Sequence, residues 1–356
     1  MNIGSLMSVM PAEIDAALIV TPFNRRYFTE FESSDGFLLV TRKGSIFYTD
    51  SRYIEAACNS IKCCDVEEGR NVFAQMKDYL EERNVRTVAV EASGMTLAEF
   101  GRLTSNENMK NFSFVSDNSL DTAISVFRRV KSSEEKEKIL AAQKIAEDAF
   151  LHILNFIKPG KTEKEIQLEL DFFMLKNGAD ALSFDTIAVS GKNSSMPHGV
   201  PTDKPVENGD FITMDFGAVV DGYHSDMTRT VAVGFVTDEQ REVYDTVLKA
   251  QLASIDVIKA GVSCFDADKA ARDIIVNAGY GEYFGHGTGH GVGVEIHELP
   301  NLSPKSTMTL EKGNIVTVEP GIYLPGKFGV RTEDMVLVTE NGCENLTKSQ
   351  KSLIVL

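Results

Sequence analysis

Four carboxylates and one imidazole carry the chemistry this sequence offers. Asp215 and Asp226 sit in one stretch, Glu319 and Glu333 sit in a second stretch of similar sequence, and His290 lies between them. Asp221-Gly222, flanked by the apolar runs Phe211–Val219 and His224–Val233, is a two-residue hairpin signal. That turn sets Asp215 opposite Thr228 and Asp226 two residues along, so the two acids share one face as diagonal neighbours roughly 7–8 Å apart. Two bare carboxylates aimed at one point need a cation between them. Glu319 and Glu333 are 14 residues apart with Pro320, Gly321, Pro325, Gly326 and Gly329 between them, which reads as strand, loop, strand with the same shared face.

Hard oxygen donors with a single imidazole suit Mn²⁺ or Co²⁺, and accept Zn²⁺, better than they suit a structural zinc, which favours thiolates. Five side chains are too many for one catalytic ion that must keep an open position. Carboxylates shared between two ions about 3.5–4 Å apart lower the pKa of a water and polarise a substrate carbonyl. The implied chemistry is hydrolysis with two divalent ions, Mn²⁺ first and Co²⁺ or Zn²⁺ next.

An internal repeat with a period of about 100 residues positions these groups. Ile157-Lys158-Pro159-Gly160, followed by a helical stretch ending Asn177-Gly178-Ala179, recurs as Ile258-Lys259-Ala260-Gly261 and a stretch ending Asn277-Ala278-Gly279. Glu207–Gly217 recurs as Glu311–Gly321, matching Asp215 to Glu319; further on Asp226 falls opposite Glu333, and His198 opposite His297. Two similar halves pack about a pseudo-twofold axis and bring equivalent residues to one place. Each half opens on a long helix. Ser132 with Glu135 makes a capping box for a helix to about Phe156, with Ile139, Ala142, Ile145, Ala146, Ala149 and Ile153 on one face. Thr162 with Glu165 caps a second helix to Asn177, and Thr237 with Gln240 caps a third to about Lys259.

The amino-terminal part alternates short apolar runs, Ala17–Val20, Gly36–Val40, Ser45–Thr49 and Thr87–Glu91, with a helix near Asn71–Arg83, the pattern of a small α/β domain. The junction lies around Ser116–Ser132, where a polar stretch gives way to Phe127-Arg128-Arg129-Val130-Lys131, so the expected domains are 1–125 and 126–356. The length of 356 residues suits two cores. A net charge of −16 argues against nucleic acid as a partner. No apolar stretch is long enough to span a membrane, and Met1–Met10 lacks the basic start and apolar middle of a signal peptide, so the expected location is the cytoplasm. The five cysteines have no C-x-x-C spacing and read as reduced. The Gly-rich run Gly285–Gly293 has no phosphate-loop pattern. His152, His224 and His286 are assigned no catalytic role.

The motifs Met214-Asp215-Phe216-Gly217, Ser225-Asp226-Met227-Thr228-Arg229-Thr230, His286-Gly287-Thr288-Gly289-His290, Val318-Glu319-Pro320-Gly321 and Arg331-Thr332-Glu333-Asp334 together resemble the metallopeptidase family of aminopeptidase P, prolidase and methionine aminopeptidase. The resemblance covers essentially the whole chain. It implies an α/β (α+β) architecture in which a small creatinase-like α/β domain precedes a pseudo-twofold pita-bread catalytic domain. It further implies that Asp215 binds one ion, His290 and Glu319 the other, and that Asp226 and Glu333 bridge. Glu319 then also shuttles a proton, His198 and His297 contact the substrate, and Arg331 braces Glu333 or the substrate. The amino-terminal domain implies proline-directed cleavage and a homodimer, with Arg26 and Tyr27 in the segment that approaches the site in the family. Prolidase-like members carry an Arg four residues after the histidine matching His297, and Asn301 stands there instead. The expectation is therefore an Xaa-Pro aminopeptidase acting on proline-containing peptides, with an Xaa-Pro dipeptidase as the alternative. A non-catalytic binding protein and a metal-free creatine hydrolase on the same fold are both disfavoured by the five retained ligands.

Overall fold

The computed structural model describes residues 3–356, in two compact units that divide after Phe127. The expected boundary at 125/126 falls inside the helix Ser119–Arg129, which replaces most of the anticipated polar junction. The physical reason is visible in its apolar spacing, because Leu120, Ala123 and Ile124 recur on one face and are buried.

The first unit is built on a six-stranded mixed sheet. Across it run Asp65–Glu68, Gly44–Thr49, Phe37–Thr41, Ala16–Ile19, Thr87–Val90 and Ser113–Val115. Four of these are the anticipated strands, and the helix Val72–Glu82 matches the anticipated one. Leu18, Leu39, Met76, Leu80, Val88 and Leu103 meet in its core. Arg26 pairs with Glu32 at 2.5 Å, and Tyr27 is buried edge-on to Phe28.

In the second unit each half of the repeat supplies two helices. Ser133–Phe156 and Glu163–Lys176 begin at the capping boxes of Ser132 and Thr162, and Asp238–Val257 begins at that of Thr237. Cys264–Asn277, capped by Ser263, completes the second pair. The first pair packs Ala142, Ala146, Ile153, Ile166 and Leu170 against Ile212, Met214 and Val231 of the first half's strands. The second packs Val243, Val247, Ala271 and Ile275 against Ile322 and Val330 of the second half's strands. The helices thus cover the outer faces and leave the opposite faces to the acids. All five cysteines are free, and among the described residues no helix is long and apolar enough to cross a membrane.

Candidate active site

The first acid is placed by the register its turn dictates. Phe211–Phe216 pairs antiparallel with Met227–Ala232, and Asp215 stands opposite Thr228 as the spacing predicts. Asp221 at φ +48° and Gly222 at φ +75° make the turn, with Val220 opposite Tyr223. The strands are not continuous, however. Each anticipated run is interrupted, at Gly217 and at Ser225-Asp226, and resumes in a second small sheet. A Cβ on Gly217 would lie 1.9 Å from the Ser225 carbonyl oxygen, so the two backbones approach more closely than any other residue allows. Asp226 leaves the chain at this break, and it is buried.

The second pair follows the same plan with one difference. Val318 pairs with Asp334 and, after a break, Gly321 pairs with Arg331, so Glu319 stands opposite Glu333. By register Glu333 therefore corresponds to Thr228, two residues beyond the Asp226 that the sequence repeat aligned with it. A shift of two residues preserves the face, which is why the acids still converge. The matched residues touch: Thr228 Oγ1 donates to Glu333 Oε2 at 2.7 Å, and Arg229 Nη2 lies 2.8 Å from Asp334 Oδ1.

His290 enters from the short strand Gly289–Gly291, whose Gly291 pairs with Val316. A Cβ on Gly289 would sit 2.0 Å from the Thr317 carbonyl oxygen, so this glycine lets the histidine strand lie against the Glu319 strand. His290 Nδ1 lies 3.0 Å from the Gly291 carbonyl, which can only accept, so Nδ1 carries the proton and Nε2 is free to face the acids. Nε2 lies 3.3 Å from Glu319 Oε1 and 3.5 Å from Asp226 Oδ2.

Ligand atoms of Asp226, His290 and Glu333 all fall within 4.8 Å of one another. Asp215 and Glu319 flank this group in the same cleft of about 1020 Å³, which His198, His297, Arg331 and Asn301 also line. Asp215 Oδ1 and Glu333 Oε1 are buried with no hydrogen-bond partner. Buried carboxylate oxygens without a donor are what a cation would satisfy, so the donor set fits divalent metal. The electrostatics agree. Burial, then the neighbouring acids, push Asp226 and Glu333 well above the usual carboxylate range. Burial raises Asp215 as well, against the pull of Arg331. Burial also works against the charge on Glu319, yet the His290 imidazole outweighs it and brings this acid down to about 2.

Arg331 does not brace Glu333 directly. Its Nη2 lies 2.5 Å from Asp215 Oδ2, while Nε donates to Thr228 Oγ1 at 3.1 Å, so Glu333 is reached only through the threonine. Its Nη1 donates to the Tyr323 hydroxyl at 2.7 Å, which in turn lies 3.0 Å from His286 Nε2. His286 Nδ1 faces the Gly287 carbonyl at 2.8 Å, so Nε2 is the acceptor of this chain. His198 and His297 are both exposed to the cleft, and the His297 ring centroid is 4.4 Å from that of His290. Thr228, Thr317 and Tyr323 were not foreseen. Thr228 had been placed only by register, whereas Thr317 repeats Thr213 two residues before the acid, and its Oγ1 lies 3.2 Å from Glu319 Oε1.

Residues 137–340 match metallopeptidase family M24, and residues 10–118 match the creatinase/prolidase N-terminal domain. The chain belongs to metallopeptidase family M24. The catalytic unit is thus the pita-bread domain, and members of the family use a dinuclear divalent metal centre. The chain is 37% identical over 342 residues to the Xaa-Pro dipeptidase of Pyrococcus furiosus, covering 96% of this chain and 95% of the other. Among solved structures, the Xaa-Pro dipeptidase from Bacillus anthracis superposes with a TM-score of 0.94 at 41% identity, covering 100% and 99% of the two chains. The X-Pro aminopeptidase from Thermotoga maritima superposes with a TM-score of 0.89 at 39% identity, covering 96% and 98%.

Proposed function

We propose that this M24 metallopeptidase is an Xaa-Pro dipeptidase. The observation that carries the hydrolytic reading is the Asp226, His290 and Glu333 cluster, with the partnerless buried Glu333 Oε1 within it and the partnerless Asp215 Oδ1 in the same cleft. The similarity to two Xaa-Pro dipeptidases supports the dipeptidase over the aminopeptidase that position 301 had favoured. The aminopeptidase remains the second reading, because Asn301 lines the cleft where an arginine would clamp a terminal carboxylate, and because the Thermotoga maritima structure is an X-Pro aminopeptidase.

In this reading Asp215, Asp226, His290, Glu319 and Glu333 would together hold two divalent ions. Mn²⁺ is the first choice of metal, with Co²⁺ or Zn²⁺ next. Two such ions supply Lewis acidity at the scissile carbonyl and lower the pKa of a water. Glu319, kept ionised beside His290, accepts the proton released at attack and passes it to the departing proline nitrogen. His198 and His297 donate to the oxygen on which negative charge develops. Burial first, then His290, hold His297 below its ordinary pKa, so at neutral pH it is an uncharged donor. Arg331 holds Asp215 in place by charge. We further propose a cytoplasmic homodimer.

The test is hydrolysis by the Mn²⁺-loaded protein of an Xaa-Pro dipeptide and an Xaa-Pro-Xaa tripeptide. The dipeptide is expected to be cleaved much faster, and cleavage of the tripeptide alone would reverse the order of the two readings.

A further inference from the structure

Arg128 and Lys131, at the start of the second unit, turn their charges inward. Lys131 Nζ lies 3.0 Å from Glu298 Oε2, and Arg128 Nη2 lies 2.7 Å from Glu298 Oε1 and 2.5 Å from Glu295 Oε2. The side chains of Lys131 and Glu298 are 1% and 3% exposed, and that of Arg128 is 9% exposed. The Glu295 backbone N–H also donates to Glu298 Oε1 at 3.1 Å. A Cβ on Gly293 would come within 2.6 Å of either Glu298 oxygen, so the loop backbone lies directly on this carboxylate.

The cations are themselves anchored. The Lys131 backbone N–H donates to the Gly313 carbonyl at 2.8 Å, and Asn314 Nδ2 donates to the Arg129 carbonyl at 3.0 Å. Two residues are left between the fixed Glu295 and the fixed Glu298. They are Ile296 and His297, and both line the catalytic cleft. A buried ion cluster is a weak source of stability, because apolar residues of similar volume often do as well; what it can add is one defined arrangement.

We propose that Arg128, Lys131 and Glu298 form a clamp that sets where His297 and Ile296 stand against the substrate. Lys131 and Arg128 are then positioning residues of the peptidase, acting through His297 without touching substrate. The inference rests on the proposed substrate role of His297.

A double-mutant cycle tests it. Lys131→Met, close in length, is measured alone and in a His297→Ala background by kcat/KM for Xaa-Pro hydrolysis, with bound Mn²⁺ and melting temperature recorded for each variant. A displaced group near the chemistry lowers the rate by on the order of 10- to 100-fold. The expected result is a loss of that size in the parent with metal content unchanged, and less than about a twofold further loss when His297 is already absent. If the two losses multiply, or if Lys131→Met leaves kcat/KM unaltered, the clamp is overturned. Should Lys131→Met fail to fold, Glu298→Gln takes its place in the same cycle and is judged by the same outcomes. A wild-type protein that hydrolyses no Xaa-Pro peptide overturns the proposed function and the clamp with it, whereas multiplying losses in an active enzyme overturn the clamp alone.

Discussion

Thr228 links two side chains of the site. Its hydroxyl donates to Glu333 Oε2 and accepts from Arg331 Nε, joining a proposed metal ligand to the arginine that pairs with Asp215. Thr228→Val keeps the shape and removes both bonds, so it should weaken Mn²⁺ binding by about 10- to 100-fold, the range for loss of a partner behind a ligand. Calorimetric titration of the metal-free variant reads this directly, and unchanged affinity would mean the threonine is only filler. Glu319→Gln keeps the size of the side chain but cannot take up a proton. It should cut kcat by on the order of 100- to 10,000-fold, and near-normal turnover would refute the mechanism. That these acids share one cleft was legible in the sequence, because a carboxylate recurs opposite a carboxylate in the two halves. Thr228 and Tyr323 were not, because their value lies in which atoms they touch across the two halves and no spacing encodes that. Glu298 offers a pH test at the same scale. Burial opposes its charge, but Lys131 and then Arg128 hold it below the usual range. A depressed carboxylate stabilises the fold above its unfolded pKa, about 4.3, and loses that contribution as pH falls through the folded value. The melting temperature of the wild type should therefore exceed that of Glu298→Gln by a constant margin above about pH 5 and by a shrinking one below it.

Among the elements, the hairpins carry the positional information. The Asp221-Gly222 turn was enough to set Asp215 opposite Thr228, since a two-residue turn fixes the register of everything it joins. The interruption of both strands was not legible: alternation of apolar residues says which face a side chain takes, and nothing about where two backbones must nearly touch. Likewise the second hairpin turns through 325–327, one residue more than the first. The glycines mark the close approaches. Gly289→Ala would force its Cβ onto the Thr317 carbonyl and push apart the strands bearing His290 and Glu319. Overpacking of this kind typically destabilises by about 1–3 kcal/mol. We expect a melting temperature lower by several degrees together with weaker Mn²⁺ binding, because the same displacement opens the ligand set. Retained stability and affinity would show that the strands have slack.

At the scale of the whole catalytic unit, the consequence of the repeat is that five proposed ligands from two halves line one cleft. The fold gathers several buried acids in one cleft, and bound metal would offset their burial and mutual repulsion. Burial and mutual repulsion raise Asp226 and Glu333, and burial raises Asp215 against the pull of Arg331, so in the metal-free protein their charged forms are disfavoured relative to the unfolded chain. For a carboxyl whose folded pKa is raised, the folded state binds more protons than the unfolded chain. Its contribution to stability is complete below the unfolded pKa, about 4, and is lost as pH rises through the folded value. Glu319, held down to about 2, runs the other way, but only in a window below pH 4. Metal binding has the opposite dependence, since it requires deprotonated ligands and strengthens as pH rises. The two are one proton linkage, since the protons that the metal-free acids hold are the ones the ions displace. Exhaustive chelation should abolish hydrolysis and lower the melting temperature, and the gap between metal-loaded and metal-free protein should widen from pH 5 to pH 8. An ion present at 100 times its Kd adds about 2.7 kcal/mol. At roughly 2–4 °C per kcal/mol for a domain of this size, each ion should therefore shift the melting temperature by about 5–10 °C. Thermal melts of both forms across that pH range decide the matter. A gap that stays constant or narrows toward pH 8 would mean that the buried acids are not what the ions neutralise.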